Sequence, residues 1–122
     1  MNFDWSHYLD LAIELYEQAE SSGHRDANWR SSISRAYYAT YHQSRQLLKD
    51  KWGIAVSKDT ATHGQVRSEF LNKRQYSIAK KLKRMRIDRN KADYDDRFVN
   101  LEETVQINIE RAKKVISILN HI

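Results

Sequence analysis

The feature that most constrains the fold is an uninterrupted helical pattern from Asp26 to Trp52. Neither glycine nor proline interrupts this segment, and apolar or small side chains recur at every third or fourth position. These positions are Trp29, Ile33, Ala36, Tyr37, Thr40, Ser44, Leu47 and Leu48. At about 1.5 Å per residue, such a helix spans roughly 40 Å. We therefore expect it to be the central helix against which the others pack.

The remaining segments repeat this pattern over shorter stretches. The chain has no proline and only three glycines, and this scarcity of turn residues argues against a β-rich fold. Gly53 should end the long helix, residues 53–62 should form the longest loop, and Asn100 with Glu103 has capping-box spacing. The other predicted helices begin near Asp4 or Ser6, near Thr62, just after Gln75 and near Asn100. We predict one domain, residues 1–122, folded as an all-α antiparallel up-and-down bundle of four to five helices.

Composition also bears on the cellular setting. The chain has no cysteine, which excludes disulfides and thiolate metal sites and is typical of a reducing cytosol. The N-terminal segment carries Asp4, Asp10 and Glu14 and has no basic region, so it does not resemble a signal peptide. No apolar run approaches the length of a membrane span. We expect a cytoplasmic protein without a membrane partner.

Positive charge is concentrated between Lys73 and Lys91. This stretch holds nine Lys and Arg residues against the single acid Asp88, a net charge of +8, whereas the whole chain is +5. The rest of the chain is therefore mildly acidic. A basic helix on an otherwise acidic protein indicates a polyanionic partner, most often nucleic acid. The alternative is a solvated face of lysines and arginines.

Arg89 differs from the other cations of this stretch. The apolar positions Ile78, Leu82 and Met85 define a stripe, and the same spacing continued along the helix reaches Arg89. We therefore predict that Arg89 is at least partly buried, and a buried guanidinium needs a partner. Asp93 at i+4 is the simplest one. The other nearby acids are Asp88, Asp95 and Asp96.

A second face of the long helix carries polar side chains. Arg35, Tyr38, His42 and Arg45 follow one another at helical spacing, which places two cations, an imidazole and a phenol side by side. One interpretation is a polar edge at which the tyrosine reaches toward water. The other is a groove wall that faces an anion, in which Arg35, Tyr38 and His42 bind RNA or a nucleotide.

Three short motifs resemble those of prokaryotic HEPN domains. The segment Ser34–His42 (SRAYYATYH) resembles the long-helix signature of the family. Thr62-His63-Gly64 followed by Phe70 is similar to its short-helix motif, and Arg89–Tyr94 (RNKADY) resembles its R-x-x-A-D-Y element. The three occur in the order of the family and cover about half of the chain.

The resemblance implies a helical bundle that forms a homodimer. Many HEPN domains are metal-independent endoribonucleases of toxin–antitoxin, CRISPR-linked and anti-phage systems, and others bind RNA or nucleotides without cleaving them. Many are encoded beside a minimal nucleotidyltransferase, which acts as the antitoxin. The ribonucleases carry an arginine and a polar residue, matched here by Arg89 and Asn90, and a histidine shortly afterwards.

That histidine is missing here. Positions 94, 95 and 96 hold Tyr94, Asp95 and Asp96, and the next imidazole after Arg89 is His121. An unperturbed tyrosine, with a pKa of about 10, is a poor base near neutral pH. His63 lies about as far before the turn near Gln75 as Arg89 lies after it, so antiparallel helices should bring the two to similar heights.

We therefore treat Arg89, Asn90, Tyr94 and His63 as candidate catalytic residues. The candidate RNA- or nucleotide-binding residues are Arg35, Tyr38, His42, Arg86, Lys91 and Asp93. Simpler structural roles stay open: His63 could bond the backbone at a helix start, His42 could pack at an edge, and Tyr94 could anchor the end of the bundle.

The sequence leaves two main functional hypotheses. The first is a HEPN-type protein that binds or cleaves RNA, without a cofactor, in a toxin–antitoxin or defence system. The second is a non-catalytic dimer that binds a nucleotidyltransferase partner or a nucleotide. A metal-dependent hydrolase built on Asp93, Asp95, Asp96 and His63 is disfavoured, because the adjacent Asp95 and Asp96 would point apart on a helix.

Overall fold

The computed structural model describes residues 2–57 and 62–122, and these residues form helices and no strands. A 3-10 turn, Ala19–Ser21, follows the first helix directly. The α-helices are α1 (His7–Gln18), α2 (Arg25–Trp52), α3 (Thr62–Asn72), α4 (Tyr76–Tyr94) and α5 (Leu101–Asn120). The predicted all-α helical bundle is confirmed. None of the helices described is both long enough and apolar enough to cross a membrane.

The central helix ends where the sequence indicates. Gly53 has a left-handed backbone (φ 66°), and its N–H bonds to the carbonyl of Lys49 at 3.0 Å. The N–H of Ile54 then reaches back to the carbonyl of Leu48 at 2.9 Å, which completes a glycine-type helix end. Of the predicted loop, residues 53–57 are not helical. Its residues 58–61 lie outside the described residues, and α3 begins at Thr62.

Neither helix start that the sequence suggested has the expected side-chain cap. Ser6 is the N-cap of α1 but makes no side-chain cap hydrogen bond; its backbone N–H and hydroxyl instead donate to Asp4 Oδ1 at 3.0 and 2.6 Å. The capping box at Asn100 is wrong, because the Asn100 side chain makes no cap hydrogen bond. Asn100 has a left-handed backbone (φ 58°), whereas a side-chain cap requires extended backbone at that position.

Helix α2 is the spine of the bundle, as predicted. It packs against α1, α3, α4 and α5. Its small polar residues are buried without unpaired hydroxyls, because Thr40 donates to the carbonyl of Ala36 and Ser44 donates to that of Thr40, each at 2.8 Å. Ser32 bonds across to the carbonyl of Ala12 at 2.6 Å, which ties α1 to the spine.

The apolar core has two parts, and α4 contributes to both. One part includes Ile78, Leu82 and Met85 of α4, and the other includes Ala92. Arg89 lies between these positions along the helix and is only 9% exposed. A cation therefore lies at the junction of the two apolar clusters. A buried guanidinium at this position needs a partner.

Helix α4 is joined to α5 through Asp88. Its Oδ2 accepts hydrogen bonds from Asn108 Nδ2 at 2.9 Å and from Arg111 Nη1 at 3.1 Å. Asp88 was one of the acids considered as a partner for Arg89, and the structure shows it bonded to α5 instead. This bridge fixes the rotation of α4 about its axis, and so determines which side chains of α4 face α2 and α3.

Candidate anion-binding site

The site is built around Arg89, which reaches from α4 toward α2. Its Nη1 lies 3.4 Å from Asp93 Oδ2, so the predicted burial and the predicted i+4 partner are both confirmed. The guanidinium carbon lies 5.6 Å from the ring centroid of Tyr37 and 5.3 Å from that of Tyr38. A guanidinium is attracted to the faces of aromatic rings, so these tyrosines help to hold it in the interior.

Asp93 joins two of the motifs. One carboxylate oxygen faces Arg89, and the other accepts a short hydrogen bond from the hydroxyl of Ser34 on α2. Ser34 and Asp93 belong to the SRAYYATYH and RNKADY segments, respectively. Asp93 thus orients the guanidinium by ion pairing while it is itself held by the spine helix.

His63 of α3 brings in the third motif. Its Nδ1 is hydrogen-bonded to the hydroxyl of Tyr37, and its ring stacks on Tyr41 with centroids 4.3 Å apart. The neighbouring Thr62 hydroxyl lies 2.6 Å from the hydroxyl of Tyr41. Residues from all three motifs therefore meet at one point of the bundle.

The surroundings of His63 keep its imidazole neutral. Burial is the main cause that lowers the pKa of His63 to about 4, and the positive charges of Arg86 and Arg89 lower it further. Burial also raises the pKa of Tyr37 well above its ordinary value, so that phenol stays protonated. Because the hydroxyl of Tyr37 has a proton to donate, we assign Nδ1 of His63 as the acceptor. Nε2 then carries the imidazole proton.

Three further cations surround the imidazole. Arg67 of α3 and Lys83 and Arg86 of α4 line a small cavity of about 30 Å³ beside His63. Among the residues that the structure describes, none of the three has a carboxylate within ion-pair distance. The cavity has room for about one water-sized group, so a larger anion would be contacted from the protein surface.

The arginines of this site have unsatisfied donors. In the described part of the chain, the Nε atoms of Arg67, Arg86 and Arg89 are buried and have no hydrogen-bond partner. A buried donor without a partner is unfavourable, and a charged one more so. The site therefore combines excess positive charge with hydrogen-bonding capacity that the protein leaves unused.

The predicted binding face of α2 is largely covered by the N-terminal part of the chain. The guanidinium of Arg35 lies between the rings of Tyr8 and Tyr38, at 5.1 and 5.7 Å. The ring of His42 stacks on Trp5 at 3.8 Å. Tyr38 contacts Arg89, whereas Arg35 and His42 are held by aromatic rings of the N-terminal region.

The other predicted residues lie on the exposed surface of α4. Asn90 shares a flank of the helix with Lys83 and Arg86, because these positions follow the i, i+3, i+7 spacing. Lys91 is about 140° around the helix from Arg86, and Tyr94 is about 12 Å further along it. Tyr94 is 76% exposed at the last residue of α4. Asn90 therefore extends the cationic flank and Tyr94 ends the same flank one turn further on, whereas Lys91 lies off it.

Several residues that build the site were not predicted from the sequence. Tyr37 was assigned to the core stripe, and Ser34 and Tyr41 were part of a motif without a role. Arg67 carried a detectable signal, since it lies four residues after His63 on the same face of α3.

Arg30 was also missed, and it fixes the end of α4. Its guanidinium donates to the carbonyls of Ala92, Asp95 and Asp96 at 3.0, 2.5 and 3.2 Å. Those carbonyls lie at or just beyond the C-terminal end of the helix, where a cation is favourable. Within the described ranges, no group of three or more acidic, histidine or cysteine side chains is placed to hold a metal ion.

Comparisons with protein-family models, curated proteins and solved structures found no match to the chain.

Proposed function

We propose that this protein binds RNA through a phosphate-binding site centred on Arg86, Arg89 and His63. The supporting observation is the group of cations Arg67, Lys83 and Arg86 beside His63, none of which has a carboxylate within ion-pair distance among the described residues. A phosphate supplies negative charge and several acceptor oxygens, and it suits arginine in particular because two N–H groups can bind it together. Arg67 and Lys83 would complete the contact, with Asn90 one turn further along α4.

Exposed cations of α4 and of the turn before it extend the positively charged surface beyond the site. Lys80 and Arg84 of α4 are exposed, and so are Lys73 and Arg74 in the turn before it. Cations distributed in this way suit an RNA backbone, since phosphate contacts position a strand without reading its sequence. We propose that the phosphate nearest His63 is one of several held along α4.

The proton positions at His63 favour binding over cleavage. A general base must accept a proton, whereas the assigned tautomer offers Nε2–H as a donor and uses Nδ1 for Tyr37. A donor at that position can bond to a phosphate oxygen. We therefore propose an RNA-binding member of the HEPN type, cytoplasmic and part of a toxin–antitoxin or defence system, rather than an active ribonuclease.

Salt dependence tests the phosphate contacts. We expect the affinity for single-stranded RNA to fall steeply between 50 and 200 mM salt, because each neutralised phosphate releases counterions. Arg86→Gln should lower the slope of log affinity against log salt by about 0.7, the value for one single-strand phosphate. Lys114→Gln on α5 removes the same charge elsewhere and should leave the slope unchanged. Equal slopes for both variants would place the RNA on another surface.

Integrity of the RNA separates binding from cleavage. We expect RNA incubated with the protein to remain intact on a denaturing gel. Cleavage that is lost in His63→Gln would show that His63 acts as a catalyst, and our tautomer assignment would then be wrong.

A second candidate function, a dimeric interaction module, rests on exposed apolar side chains. Ile87 and Tyr94 lie seven residues apart on one flank of α4 and are 41% and 76% exposed, and Val99 follows at 79%. A homodimer or a nucleotidyltransferase partner would cover them. In that case Ile87→Glu should convert a dimer into a monomer, or abolish co-elution with the partner, in size-exclusion chromatography with light scattering. Arg86→Gln should not.

A further inference from the structure

A second cleft lies between the segment before α1 and the C-terminal part of α2. It has a volume of about 560 Å³, and its walls combine the aromatic residues Phe3 and Trp5 with the cations Arg45 and Lys49. Sites for small ligands have volumes of this order. The cleft shares no lining residue with the cavity beside His63, so it is a distinct feature of the surface.

Ring contacts hold the aromatic wall of the cleft in place. Trp5 stacks on His42 at 3.8 Å with nearly parallel rings, and Phe3 meets Trp5 edge-on with centroids 4.9 Å apart. Phe3 is nevertheless 50% exposed. A large ring left half in water beside a fixed indole offers a flat apolar surface, which suits another flat ring.

The cationic wall carries charge that the cleft itself does not neutralise. Arg45 and Lys49 are four residues apart on α2, so two like charges face the same side of the helix. The Nε of Arg45 is buried without a hydrogen-bond partner in the described residues, and none of the described residues that line the cleft is acidic. The nearest acid along the helix, Asp50, accepts hydrogen bonds from Gln46.

From this pairing of walls we infer that the cleft binds a nucleoside phosphate. The base would stack against Phe3 and Trp5, and the phosphate would lie between Arg45 and Lys49. Stacking on aromatic rings beside cationic phosphate contacts is the usual chemistry of single-stranded nucleic-acid binding. The ligand would be either a free nucleotide or one unit of an RNA strand, since both present the same ring and phosphate.

The inference does not depend on the anion site, but the two are compatible. Arg45 lies eight residues after Tyr37 on α2, which is about 12 Å along the helix. Tyr37, which bonds His63, and Arg45, which lines the cleft, therefore lie about two helical turns apart on α2.

Titration with uridine monophosphate and with a short oligouridylate tests the inference. Of the three tryptophans, Trp5 lines the cleft, Trp29 is buried in the core and Trp52 packs against Phe70, so saturable quenching of the Trp5 fluorescence should report binding. Phe3→Ala should weaken binding by about tenfold, the usual effect of removing a stacking ring. Lys49→Gln should weaken it by a smaller factor, and Lys114→Gln, which removes an equal charge from α5, should not change it.

The two ligands distinguish the two sources of nucleotide. Binding of the monophosphate assigns the cleft to a free nucleotide, and binding of the oligonucleotide alone assigns it to a strand. The absence of saturable quenching with both ligands would overturn the inference, as would equal affinities in wild type, Phe3→Ala and Lys49→Gln. Arg86→Gln separates this result from the proposed RNA site, because it should weaken RNA binding there and leave monophosphate binding at the cleft intact.

Discussion

Acidification should destabilise the folded protein through His63. Burial, together with Arg86 and Arg89, lowers the pKa of this imidazole from 6.5 to about 4. Between these two values the unfolded chain binds a proton at His63 and the folded protein does not, so the free energy of unfolding rises with pH across this window. The contribution of the neutral imidazole is complete above about pH 6.5 and is lost as the pH falls toward 4.

The size of the effect follows from the lowered pKa and from the exposure of the ring. A change from 6.5 to about 4 would correspond to roughly 3 kcal/mol for a fully buried group. His63 is only half-buried, and solvent screens the charges of Arg86 and Arg89. We therefore expect His63 to account for about 1–2 kcal/mol of stability lost between neutral pH and the low end of the window.

Urea unfolding at a series of pH values and constant ionic strength measures this contribution. Carboxylates and the other histidines also titrate in the window, so the informative quantity is the difference between wild type and His63→Gln. Glutamine can still accept the hydrogen bond from Tyr37, but it does not bind a proton. The free energy of unfolding of wild type should fall more steeply on acidification than that of the variant. Parallel curves for the two proteins would refute the reasoning.

Three other predictions address the same network. Inorganic phosphate or bound RNA should raise the pKa of His63, because a nearby anion favours the protonated ring, and an NMR titration of the imidazole would show no change if the anion binds elsewhere. Asp93→Ala should lower the free energy of unfolding by about 2–3 kcal/mol, because it leaves the guanidinium of Arg89 buried and unpaired. In Asp93→Ala with Arg89→Met the combined loss should be smaller than the sum, and an additive loss would show that the two do not interact. Arg30→Gln should cost about 1–2 kcal/mol, since carbonyls at the end of α4 lose a charged donor, and urea unfolding indistinguishable from wild type would contradict this role.

The fold could be predicted because it depends on patterns within each helix. The start of α2 was predicted to within one residue, and Gly53 ends it because a residue without a Cβ adopts the left-handed conformation at little cost. The capping box failed for a local reason. The tight connection after α4 places Asn100 in a left-handed conformation, and sequence spacing alone does not reveal the backbone angle.

Only the contacts of the site that form within one helix could be predicted from the sequence. The burial of Arg89 follows from the register of α4, and the pairing with Asp93 spans one turn of that same helix. The bond between Tyr37 and His63 joins α2 to α3, so it depends on how the two helices pack. Tyr37 is 2% exposed and belongs to the core by any sequence pattern, yet its hydroxyl reaches the edge of that core.

The arrangement around Arg89 does not maximise the stability of the folded protein. Apolar side chains of similar volume often replace buried ion pairs with no loss of stability, and buried Nε atoms without partners add a further penalty. The pKa of His63 is lowered first by burial and then by the charges of Arg86 and Arg89, so a charged imidazole would also be unfavourable here. A bound phosphate would accept hydrogen bonds from arginine N–H groups and from Nε2–H of His63, and it would offset the positive charge of the site. At a ligand concentration 100 times the dissociation constant, binding would add about 2.7 kcal/mol of stability.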